Sequence, residues 1–138
     1  MAVQYTSENL EWHIVDAKSD MLGRLAVKIA SLLLGKHRTD SEKHKASPVR
    51  VVVINSDELK TTGKKGKQKM YRRYTGYPGG LRERTLDEQM GLDSTFIIKE
   101  AVSGMLPKNR LRASRMRNLY VYKGAEHPHM AQVKGETV

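Results

Sequence analysis

Five histidines and the glycine-lysine pairs Gly35-Lys36 and Gly63-Lys64 are the side chains and spacings in this chain with the most capacity for chemistry. His127 and His129 flank Pro128 and follow Glu126. Two imidazoles and a carboxylate could begin a zinc site, but no third and fourth ligand follows at a usual spacing, and the chain has no cysteine. No metal site is expected in the chain, and these imidazoles are read as phosphate contacts or tail packing. Gly35-Lys36 and Gly63-Lys64 both lack the earlier glycine of a G-x-x-x-x-G-K-[ST] phosphate loop. No G-x-S-x-G elbow or H-E-x-x-H helix occurs. Asp16, Asp57 and Asp87 sit where backbone capping explains them. Nothing brings together a nucleophile, a base and an orienting group. No catalytic residue, cofactor or small-molecule substrate is therefore expected.

Charge carries more information. Over 138 residues the formal net charge is +10, a surplus that calls for a polyanionic partner. It is concentrated in two stretches. Between residues 60 and 84 nine Lys/Arg (Lys60, Lys64, Lys65, Lys67, Lys69, Arg72, Arg73, Arg82, Arg84) face one acid, Glu83. Between 107 and 123 Lys108, Arg110, Arg112, Arg115, Arg117 and Lys123 face none. The other ten bases are outnumbered by fourteen acids, so the rest of the chain is mildly acidic. A solvated face would mix the two signs. The first stretch also interleaves Tyr71, Tyr74 and Tyr77 with Gly63, Gly66, Gly76, Gly79 and Gly80. Glycine lets backbone approach phosphates, and tyrosine stacks on unpaired bases, which suits RNA better than duplex DNA. For Tyr71 a strand with one face in the core is an equally good reading. Gly63-Lys64-Lys65-Gly66 has the G-x-x-G form of a KH loop, but it lies between two expected strands rather than two helices. No apolar run approaches eighteen residues and Met1 to Glu11 lacks the pattern of a secretory signal, so neither membrane nor export is expected.

These groups need elements to hold them. Trp12 to Asp16 reads as a first strand. Asp20 is placed to cap a helix whose apolar positions Leu22, Leu25, Ala26, Ile29, Leu32 and Leu33 recur at helical spacing until Gly35. After a polar link, the β-branched run Val49 to Ile54 reads as a strand buried on both faces, completing a βαβ unit. A third strand is expected around Lys69 to Tyr74, then a turn at Tyr77-Pro78-Gly79-Gly80. Thr85 to Glu88 forms a capping box. Ser94 is placed to cap a further helix with Ile97, Ile98, Ala101, Val102 and Met105 inward and Pro107 at its end. A helix over Lys108 to Asn118 and a strand over Leu119 to Tyr122 finish the pattern.

As a set, these residues resemble a known family. Trp12 to Asp16 with Leu22 to Ala26 and Gly35-Lys36-His37, Val53-Ile54-Asn55, Thr62-Gly63-Lys64, Tyr74 to Leu81, Glu83 to Leu86, Gly104 to Asn109 and Tyr122 to His129 (YKGAEHPH) are similar to the bacterial and organellar L-thirteen family of large-subunit ribosomal proteins. The link Arg38 to Pro48 and the stretch Leu111 to Arg117 depart from that family's usual pattern. The resemblance implies a single three-layer α/β/α domain with a short, mostly parallel sheet of about four strands and basic loop and helix extensions. Residues 1–11 would be an N-terminal extension, 12–123 the α/β core and 124–138 a tail. It implies a cytoplasmic constituent of the ribosome, more bacterial than organellar, that binds large-subunit ribosomal RNA, touches neighbouring ribosomal proteins, supports assembly and is not an obligate homo-oligomer. RNA contacts are implied at Arg24, Lys36, His37, the 60 to 84 segment (Lys64, Lys65, Lys67, Lys69, Arg72, Arg73, Tyr74, Tyr77, Arg82, Arg84), the residues after Pro107 (Lys108, Arg110, Arg112, Arg115, Arg117, Lys123), and His127 and His129. A non-ribosomal RNA-binding module and an RNA-processing enzyme are the alternatives.

Overall fold

The structure is a computed structural model that describes residues 10–133. Strand β1 (Glu11–Asp16) leads into helix α1 (Leu22–Leu33) and returns as β2 (Val49–Ile54), parallel to β1 with Glu11 opposite Val49. β5 (Leu119–Val121) pairs on the other side of β2, also parallel, so the order is β1-β2-β5. The unbroken β-branched run lies in the central strand, where Val49, Val51, Val52 and Val53 are all buried. Leu22, Leu25, Ala26, Ile29, Leu32 and Leu33 of α1 and Ile97, Ile98 and Val102 of α4 (Ser94–Met105) share one core with Val49, Val51 and Val53. The helix α1 stops as Gly35 turns to φ +70.

Several details differ from the expectations. The parallel sheet has three strands, not four. The expected third strand, β3 (Met70–Tyr74), instead pairs antiparallel with β4 (Leu81–Thr85) in a hairpin of its own. The face of the sheet turned away from α1 carries Trp12, Arg50 and Tyr120, and the ring of His129 lies 5.1 Å from Trp12 and 4.7 Å from Tyr120. Tail residues, rather than a helix, pack on that side. The expected extension 1–11 lies outside the described residues except at its end, where Glu11 already belongs to β1. The tail's last five residues, 134–138, also lie outside them.

Caps shift as well. Asp20 does not cap α1. Met21 holds the N-cap position, and the Leu22 N–H donates to the Lys60 carbonyl at 3.0 Å, so a neighbouring backbone supplies the acceptor. Thr85 and Glu88 form the expected capping box on α3 (Leu86–Leu92). On α4 the cap is Asp93, which accepts from Thr95 N–H and Oγ1. Ser94 is buried in the first turn and donates to Asp57 while bonding Ser56. Met105, expected inward, is exposed at 42% because α4 ends there. The helix expected over 108–118 is the shorter α5 (Leu111–Arg117).

Candidate nucleic-acid interface

The β3–β4 hairpin is built by alternation. In antiparallel pairing, side chains two apart share a face. One face therefore carries Arg72 opposite Glu83, joined at 2.6 Å, and Tyr74 opposite Leu81. The other carries Tyr71 opposite Arg84 and Arg73 opposite Arg82. Three guanidinium groups thus converge on one face, and none of the three has a described salt bridge. Tyr71 anchors that face to the core, its ring edge-on to Phe96 at 5.8 Å. Burial pushes its phenol up, and Glu100 adds to the shift. Tyr71, Arg73, Arg82, Arg84, Gln89 and Phe96 line an open cavity of about 420 Å³.

The hairpin's tip presents Tyr74 and Tyr77 at 63% and 75% exposure. Gly76 and Gly79 adopt φ +89 and +71, and Thr75 N–H closes the loop onto the Gly80 carbonyl at 3.1 Å. The one-turn helix α2 (Lys65–Gln68) precedes the hairpin. Gly66 lies against the Asp87 carboxylate, so a β-carbon there would require that side chain to move aside. Lys64, Lys65 and Lys67 around it are exposed. Lys69 lies 5.3 Å from the centre of the Tyr71 ring.

The second basic stretch follows the C-terminal end of α4, where Gly104 and Met105 line a cavity together with Lys65 and Lys69. Lys108, Arg110, Arg117 and Lys123 are exposed and Arg112 is half-buried. Arg115 overturns the expectation of a solvent-facing side chain: it is 3% exposed, with one Nη 3.5 Å from the Lys45 carbonyl. Its position on α5 turns it inward beside Met116, which packs on the core. Arg24 and Lys36 are exposed on α1 and just after it.

The histidines are more engaged than expected. The Tyr122 hydroxyl and His129 Nε2 lie 2.9 Å apart, and the His129 N–H donates to His127 Nδ1 at 3.2 Å. Their rings pack with Tyr122, Tyr120 and Trp12, over which Arg50 also lies at 5.0 Å. The same tail segment bonds back through Asn55, whose N–H donates to the Gly124 carbonyl. His37 is exposed but held against Glu11, with Nε2 3.1 Å from Oε2. Sequence reasoning missed Glu11, His13 and Phe96, because each is assigned to its site only by a chain segment distant in sequence.

A model of the family described as Ribosomal protein L13 matches residues 10–128. The chain belongs to the ribosomal protein L13 family. Curated relatives agree in length as well as sequence. The large ribosomal subunit protein uL13 of Thermus thermophilus is 47% identical over 121 residues, covering 88% of this chain and 86% of its own. Those of Alcanivorax borkumensis and Solibacter usitatus are 47% and 45% identical over 122 and 124 residues, covering 88% and 90% of this chain and 86% and 87% of theirs. In L13-family terms the match spans both basic stretches and ends among the tail residues that pack on the sheet. No helix of the described residues is long and apolar enough to cross a membrane.

Proposed function

We propose that this L13-family chain is a structural, non-enzymatic constituent of the large ribosomal subunit, where it binds large-subunit ribosomal RNA and supports subunit assembly. It works as one domain beside neighbouring ribosomal proteins, with no need of a second copy of itself, in the cytoplasm of a bacterium. The observation that carries this reading is the Arg73, Arg82, Arg84 face of the hairpin. Like charges directly opposite each other weaken a strand pair, so a fold that keeps them calls for a polyanion to neutralise them. Arg72 is already matched by Glu83, which marks the other face as the self-compensated one.

The contact set proposed is Arg73, Arg82, Arg84, Tyr74 and Tyr77 on the hairpin, with Lys64, Lys65, Lys67 and Lys69 on the turn before it. Lys108, Arg110, Arg112, Arg117 and Lys123 make up a second group, and Arg24 and Lys36, on and just after α1, complete the set. Arg115, His37, His127 and His129 serve the fold first, through the contacts described above. Binding of purified chain to large-subunit ribosomal RNA across a salt series tests this. With about six to ten phosphates neutralised, affinity should fall by about three to five decades between about 50 and 200 mM salt. A flat response would refute it.

A further inference from the structure

At the edge of the sheet, on the side covered by α1, lies a group of side chains outside the RNA-contact set proposed above. Glu11 and His13 are two apart on β1 and so project to one face. The turn after α1 brings His37 to the same place, with its ring edge-on to that of His13 at 5.3 Å. Glu11 Oε1 is 3.2 Å from His13 Nε2 and 3.2 Å from His37 Nε2. One ligand atom from each of the three residues can be chosen so that all lie within 4.8 Å of one another. Two ligands of a tetrahedral zinc with bonds of about 2.0–2.1 Å are about 3.3 Å apart, so the carboxylate oxygen already stands near that separation from both imidazoles.

His13 supplies an independent sign. Its ring is buried, at 6% exposure, yet neither ring nitrogen has a hydrogen-bond partner. The 3.2 Å approach of Nε2 to Glu11 is too poorly aligned to count as one. A buried imidazole with no hydrogen-bond partner, set beside a carboxylate and a second imidazole, is free to serve as a ligand. The opposing charge nearby is Arg38, with Nη1 3.0 Å from Glu11 Oε2. Arg38 is also gripped by both oxygens of Asp40 at 2.8 Å, and Asp40 holds it whatever Glu11 binds. An ion on Oε1 leaves Oε2 to Arg38 as an outer hydrogen bond, which orients the ligating carboxylate as the partners of metal ligands commonly do.

We propose that Glu11, His13 and His37 form a three-ligand site for Zn²⁺, with water at the fourth position on the exposed side of His37. This site is independent of the RNA interface and stands whether or not the ribosomal reading does. Two imidazoles and one carboxylate suit zinc better than magnesium or calcium, which prefer all-oxygen shells.

The test uses the untagged full-length chain, stripped with a chelator and titrated with ZnCl₂ against a chromophoric competitor. One Zn²⁺ per chain is expected, with His13→Ala and His37→Ala each weakening it by about a hundredfold and His44→Ala leaving it unchanged. Co²⁺ should give the visible absorption of a four-coordinate ion. As a check that needs no variant, Zn²⁺ should shift the ring-nitrogen resonances of His13 and His37 in the wild-type chain. Absence of stoichiometric binding, binding undiminished by His13→Ala in a folded variant, or shifts confined to other histidines would overturn the site.

Discussion

Arg73 and Arg82 face each other as register partners across the β3–β4 hairpin, beside Arg84 and opposite the face on which Arg72 finds Glu83. The pair is a cost to the free protein and a gain to the bound one. Changing both to glutamine should raise the stability of the free chain by about 0.2–1 kcal/mol, seen as a higher Tm. The same double variant should lower the slope of log affinity against log salt by about 1.5, seen in a binding series.

Arg115 should behave as a core residue. Arg115→Glu buries a carboxylate on the inner face of α5 and is expected to destabilise the fold by about 3 kcal/mol or more, read by urea denaturation. Arg110→Glu, exposed on the same stretch, should change stability by less than about 0.5 kcal/mol while weakening RNA binding.

The contrast between those two arginines shows how far the sequence could be read. Segregated charge named the basic stretches, and helical or β-branched periodicity named α1, β2 and α4. Periodicity could not say which of five arginines and lysines within 107–117 turns inward, because α5 is short and its inner face is decided by α4 and the 38–48 link. Pairing was similarly hidden. Lys69 to Tyr74 reads as a strand from its residues alone, but only the turn at 75–80 directs it to β4 rather than to the parallel sheet. Tail histidines read equally as phosphate contacts or as packing, because Trp12 and Tyr120, the rings that hold His129, lie far from it or on another element.

The chain has a single tryptophan, so the tail can be watched directly. His129→Ala removes the ring against Trp12 and the partner of the Tyr122 hydroxyl. Trp12 emission should move to longer wavelength as the ring gains water, with a loss of about 1 kcal/mol in stability. An unchanged spectrum would mean the tail does not cover Trp12.

Asp93 supplies a pH-dependent part of the stability. The hydrogen bond from the Thr95 side chain, aided by that from its backbone and by the charges of Lys123 and Lys99, holds its carboxyl below the usual aspartate value against the opposing effect of burial. A depressed folded-state pKa stabilises the fold fully above the unfolded value of about 3.9, and that contribution is lost as pH falls through the folded value. Asp93→Asn keeps a capping oxygen and should flatten this part of the acid limb. Asp93→Ala should cost about 1 kcal/mol at neutral pH as well. Thermal melts between about pH 2 and 7 distinguish the two.

The central claim is placement in the large subunit through the hairpin. Sedimentation of cell lysate through a gradient, with the wild-type chain and an Arg73→Glu, Arg82→Glu, Arg84→Glu variant detected by antibody, tests it most directly. The wild-type chain should travel with the large subunit and the variant should shift towards the top. A wild-type chain that stays at the top, or a variant that sediments unchanged, would contradict the account.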